Sequence, residues 1–141
     1  MPTNARPEIK SSEVKSNGTM EGEVFIDTVY SYPFKANFVH YVNNQSLIQL
    51  YGSQGESQDS TIIAVSLRAR TPSGFYEFDG PEITDMSYSP PSGEDPWMVT
   101  GGGLAVTFNE DGKRASGTLQ VLAKRGSKKL DATVKFNISN Q

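Results

Sequence analysis

The segment LDATVKFNIS, Leu130 to Ser139, places an apolar residue at every second position. Leu130, Ala132, Val134, Phe136 and Ile138 share one face, while Asp131, Thr133, Lys135, Asn137 and Ser139 share the other. A period of two belongs to a strand, so the segment predicts a half-buried strand with one wet face. The preceding stretch repeats the rhythm twice. Leu104, Val106 and Phe108 alternate on one arm, and Ala115, Gly117, Leu119, Val121 and Ala123 alternate on the next. Between the arms stands Asp111-Gly112, a strong hairpin signal because Gly accepts φ > 0. KRGSKK supplies the next turn, so the C-terminal third predicts a three-stranded antiparallel meander.

Earlier segments carry the same period less cleanly. GEVFIDTVYSY and PFKANFVHYV read as two strands broken near Pro33, which cannot donate to a ladder. SLIQLYG and STIIAVSLRAR follow after turn residues, and GFYEFDG and PEITDMSYS are short further candidates. No segment has the length and period of an amphipathic helix, and 13 Gly with 8 Pro punctuate the chain. Short strands separated by frequent turns predict an all-β, single-domain antiparallel sandwich over residues 20–141. The alternative is a closed up-and-down or Greek-key barrel. Residues 1–19 are polar and offer only Ile9 and Val14 for burial, so they read as a disordered tail. An extended arm pairing with a partner subunit is the other reading of that segment.

The chain has 141 residues, no cysteine and a formal net charge of -3. Its length suits one domain with a core that needs no disulfide staple. The absence of thiols excludes disulfides and zinc-thiolate chemistry. No run approaches the roughly 20 apolar residues of a membrane helix. No apolar leader precedes the strands, so the default location is the cytoplasm, or outside the cell if a leader has been removed. The charge is unevenly spread. Thr71 to Asp111 holds eight acids and no base, whereas Gly112 to Lys135 holds seven bases and one acid. Adjoining hairpin arms would set these two segments against each other. The acidic total argues against a nucleic-acid partner, and the lysines in the turns read as solubilising groups.

Catalytic groups are scarce. The one histidine, His40, shares a strand face with Phe38 and Val42 rather than standing beside a nucleophile. No phosphate-cradling loop occurs, and the triplet Gly101–Gly103 reads as a bulge or a close backbone approach. Glu77, Asp79, Glu82 and Asp85 form the weak metal candidate: hard oxygens suited to calcium, but without EF-hand spacing. The same carboxylates are candidates for a glycan-cleaving acid and nucleophile. Otherwise no cofactor is expected.

Trp97, the only tryptophan, lies in SYSPPSGEDPWMVTGGG between prolines and glycines. Strand alternation from Trp97 to Val99 points both inward, which makes the indole a plug at one end of the core. The competing reading is a ligand platform, with Trp97 and Tyr88 offering ring faces and Glu94 and Asp95 accepting hydroxyl hydrogens. The function expected from these features is a non-catalytic binding or interaction domain for a carbohydrate or a protein partner. One alternative is a barrel carrying a small apolar ligand among Phe25, Phe38, Ile63 and Leu67. Another is the carboxylate-dependent enzyme. The balance is against an enzyme.

Overall fold

The computed structural model describes residues 16–55, 59–91 and 93–140. These form ten β-strands and no α-helix: β1 (Asn17–Ile26), β2 (Val29–Lys35), β3 (Phe38–Asn43), β4 (Leu47–Gln54), β5 (Thr61–Arg68), β6 (Gly74–Glu77), β7 (Ile83–Ser89), β8 (Met98–Asn109), β9 (Arg114–Arg125) and β10 (Lys128–Ser139). They build two antiparallel sheets. One has six strands in the order β2-β1-β10-β9-β8-β6, and the other has four in the order β3-β4-β5-β7. Among the described residues neither sheet closes on itself, so the fold is a sandwich and not the closed barrel held as its alternative.

The core lies between the sheets. Val24, Leu104, Leu119, Val121, Val134 and Ile138 of the larger sheet face Val39, Leu50, Ile63, Val65, Leu67 and Met86 of the smaller one, all almost fully buried. Alternation explains the division: each strand of the meander sends every second side chain inward and the others to water. β5 departs from this pattern. Its run Ile62-Ile63-Ala64-Val65 is buried on both faces, and Ile62 and Ala64 join Tyr51 and Phe38 in a second apolar cluster on the other face of the four-stranded sheet. The four residues proposed to line a carrier cavity are therefore separated. Ile63 and Leu67 fill the core, Phe38 lies on the far side of its sheet, and Phe25 alternates with core residues Val24 and Ile26.

The meander has the expected arms and turns, and the N-terminal strands have different boundaries. β1 begins at Asn17, because Asn17–Thr19 pair with Ser139–Asn137 of β10. Residues 1–15 of the expected tail lie outside the described residues. The first break falls at Asp27-Thr28, not at Pro33. Both turn residues have positive φ (53° and 65°), as a tight turn matched to strand twist requires. Asp27 locks this turn to the β9–β10 end by accepting a hydrogen bond from the Lys129 backbone N–H at 2.9 Å. Pro33 sits within β2 opposite Glu23, and β2 is an edge strand, where a missing donor is tolerated.

Glycine fixes the register of the larger sheet. Gly117 has φ 154°, and a Cβ there would stand 1.8 Å from the Ala105 carbonyl oxygen. At Gly101 the nearest atom to such a Cβ is Leu122 Cδ1, at 3.5 Å. Gly117→Ala is expected to lower the unfolding free energy by about 3 kcal/mol, and Gly101→Ala to change it by less than about 0.5 kcal/mol. Urea unfolding midpoints measure both, and equal midpoints would contradict the register.

Candidate functional site

Trp97 precedes β8 and is only 3 % exposed. Its ring meets Tyr88 edge to face, with centroids 6.4 Å apart and planes at 88°. The Arg125 guanidinium lies over the ring, 4.3 Å from its centroid. Arg125 in turn reaches Glu94 at 3.7 Å. This bridge and the 2.6 Å pair of Arg114 with Glu110 link the acidic and basic segments in space. The indole thus plugs one end of the core, and a cation rather than open solvent covers its face. Of the four residues proposed around it, Trp97 and Tyr88 pack together inside, while Glu94 and Asp95 stand exposed on the loop. Burial of the indole dominates the energetics of this corner. Truncating a buried Trp costs about 3–5 kcal/mol, whereas a part-exposed ion pair contributes about 1 kcal/mol or less.

Tyr32 of β2 packs against the same core. Burial is the main cause that pushes its phenol up to about 12 from an ordinary 10.0, with Glu94 adding to the rise and a hydrogen bond with Thr61 and the charge of Arg125 opposing it. Burial likewise raises Tyr41, which donates to the Gly112 carbonyl oxygen and accepts from Asn43.

The four carboxylates proposed for a metal or for glycan cleavage are spread over both sheets. Glu77 pairs with Gly103 in the larger sheet, Asp85 pairs with Ser66 in the smaller one, and Asp79 and Glu82 lie in the connection between them. Among the described residues no three Asp, Glu, His or Cys side chains form a metal-binding group. His40 stacks on Tyr51 with centroids 5.0 Å apart, on the face of the four-stranded sheet away from the core.

The outer face of the six-stranded sheet brings together residues that lie far apart in the chain. Register sets them in rows. Phe25, Asp131, Leu122 and Gly101 form one row across β1, β10, β9 and β8. Glu23, Thr133, Gln120, Gly103 and Glu77 form the next, reaching β6. Lys135, Thr118, Ala105 and Phe75 form the third. Gln120 Nε2 lies 3.3 Å from each Asp131 oxygen, and the Thr133 hydroxyl donates to Asp131 Oδ1 at 3.1 Å. The carboxylate is thereby held in place while staying open to further donors. A hollow of about 600 Å³ includes Phe25, Leu122 and Asp131, and a second of about 450 Å³ includes Phe75, Gln120 and Thr133.

The glycine triplet gives this face its floor. A Cβ at Gly103 would stand 3.0 Å from Phe75 Cζ, so the edge of the phenyl ring lies over the bare backbone of β8. Phe75 remains 65 % exposed all the same. Sequence reasoning passed over this face because its polar members look like an ordinary wet side. The available signal was apolar residues out of phase with their strands: Leu122 between inward Val121 and Ala123, Phe25 between Val24 and Ile26, and Phe75 beside Tyr76.

Two measurements check the Trp97 corner. Trp97 is the only tryptophan, so acrylamide should quench the folded protein weakly and the urea-unfolded chain strongly, with Arg125→Ala intermediate. Equal quenching of folded and unfolded protein would place the indole outside the core. The Tyr32 shift sets a pH window. Between its ordinary 10.0 and about 12 the unfolded phenol ionises while the folded one stays neutral. The unfolded state then binds fewer protons, and stability falls as pH rises through that window. Tyr32→Phe should make the fall shallower in unfolding curves recorded from pH 9 to 12.

The chain matches no family model, and no curated protein or solved structure matches it, so any functional reading rests on this geometry.

Proposed function

We propose that the chain is a non-catalytic carbohydrate-binding domain whose ligand lies on the outer face of the six-stranded sheet. The observation that carries this reading is the Gln120–Asp131–Thr133 cluster, set among Phe25, Leu122 and Phe75. A sugar ring has hydroxyls at its rim and C–H groups on its faces. Recognising it takes a few fixed polar groups beside apolar surface, in a hollow of a few hundred Å³. Asp131 accepts from two neighbours, so its orientation is settled before any ligand arrives and little ordering cost remains at binding. The rigid sheet positions these groups more firmly than the loop around Trp97 would.

A protein partner, the other ligand class considered, is served best by a broad apolar patch with aromatic anchors. Among the described residues the large exposed apolar side chains are Val29, Tyr30, Phe75 and Met98; register places Tyr30 opposite Phe25 and Met98 opposite Lys124, so they share the outer face with Phe75 but stand on three different strands, β2, β8 and β6. What favours the sugar is the fixed Gln120–Asp131–Thr133 cluster between these apolar side chains, which gives hydroxyl partners beside apolar surface.

A glycan array followed by calorimetry on its hits tests the reading. Asp131→Ala and Gln120→Ala should each weaken binding at least about tenfold, the loss of about 1.4 kcal/mol expected for a hydrogen bond to a charged or buried partner. Both variants should keep the wild-type melting temperature within a few degrees. An array without hits, or unchanged affinity in Asp131→Ala, would overturn the assignment.

A further inference from the structure

The two hollows on the outer face both include Leu122, one extending toward Phe25 and Asp27 and the other toward Phe75 and Glu77. Together they touch β1, β10, β9, β8 and β6, five successive strands of one sheet. Four strand spacings amount to about 19 Å, more than one or two pyranose rings occupy. From this continuity we infer that the ligand is a linear, uncharged oligosaccharide with equatorial linkages, lying across the strands from Phe25 to Phe75. The inference rests on the carbohydrate reading and adds length, shape and charge to it.

Shape follows from the floor. Gly101, Gly103 and Ala105 lift no bulky side chain off β8, and the Phe75 ring edge lies over Gly103. A flat ribbon of β-1,4-linked rings, presenting C–H faces, fits such a surface, whereas a coiled α-linked chain would touch it at one or two rings. Charge follows from the lining. The hollows contain Asp27, Asp131 and Glu77 against Lys124 and Lys129. This lining has no excess of positive charge to attract a uronate or sulfated polymer. The fixed carboxylate of Asp131 instead suits hydroxyl donors.

Calorimetry with cello-oligosaccharides and with N-acetylglucosamine oligomers, monomer through hexamer, tests this directly, with an oligogalacturonate series beside them. In at least one of the two neutral series affinity should rise about tenfold or more from dimer to tetramer and then level off, and the uronates should bind more weakly than both. Phe75→Ala should remove most of the gain of the longer oligomers, because Phe75 lies at the far end from Asp131. Phe75 is exposed, so this variant should fold, and its melting temperature confirms that. Monomer and hexamer binding alike, preferred uronates, or hexamers that fail to bind while the array yields other glycans would each overturn the inference and leave the carbohydrate reading standing. Failure of every glycan would end both.

Discussion

Twelve consecutive residue pairs join β9 to β10, from Arg125 opposite Lys128 to Arg114 opposite Ser139, and the rest of the molecule depends on their register. On the inner side this ladder aligns Leu119 with Val134 and Val121 with Ala132, all fully buried. Each of these leucine and valine side chains contributes about 1.5–3 kcal/mol through burial. A slip by one residue would turn the whole set to water and bury Lys135 and Gln120 instead. The same ladder decides what meets outside. Gln120 stands directly opposite Thr133 and diagonally to Asp131, within the reach of cross-strand side chains. The polar cluster on the outer face is therefore specified by the core beneath it. Altering the inner side of β9 or β10 would disturb the site without touching any of its side chains.

β8 solves a second problem of phase. At its start the inward side chains are Trp97 and Val99, on odd positions; from Leu104 and Val106 onward they are even. A strand cannot change parity without an extra residue, and the ladder with β9 supplies one. Val99 pairs with Ala123 and Gly101 with Leu122, which leaves Thr100 as the additional residue of a bulge. Gly102 then passes with φ 116° so close to β9 that a Cβ would stand 2.0 Å from the Gln120 carbonyl oxygen. One irregularity thus allows the indole to close the end of the core and also leaves a bare strip of backbone on the outer face. The inward plug follows from the bulge at Thr100, and the bare floor from the glycines that come directly after it.

The strands of the meander, the inward direction of Trp97 and Val99 and the irregularity at the glycine triplet were legible because each rests on local alternation or on a residue with special backbone freedom. The N-terminal boundaries were less so. Asp27 and Thr28 adopt positive φ without a glycine to announce it, and Pro33 looks like a break until β2 is known to be an edge. Phe25 and Phe38 gave a false cavity lining for a related reason: alternation tells which residues share a face but not whether that face meets the other sheet. The outer-face cluster was hidden further still. Asp131, Gln120 and Glu77 are ordinary wet-face residues taken singly, and only the order β1-β10-β9-β8-β6, which periodicity does not encode, makes them neighbours.

Single exposed apolar side chains are common and need no explanation. Three that interrupt an otherwise polar phase, on three different strands, and converge on one face are a different matter. Phe25, Leu122 and Phe75 are separated by up to 97 positions in the chain, yet the register sets them around the same two hollows. Leaving Phe75 65 % exposed forgoes much of the 1.5–3 kcal/mol or so that full burial of a phenyl ring provides. A threonine or a serine would serve the sheet as well at that position and keep the face wet. The bare backbone at Gly103 makes room for the ring edge, which limits the freedom of the phenyl group and keeps its outer surface turned to solvent. An apolar surface left exposed at one end of a face that carries a fixed carboxylate at the other would recover that forgone burial under a ligand with both C–H faces and hydroxyls.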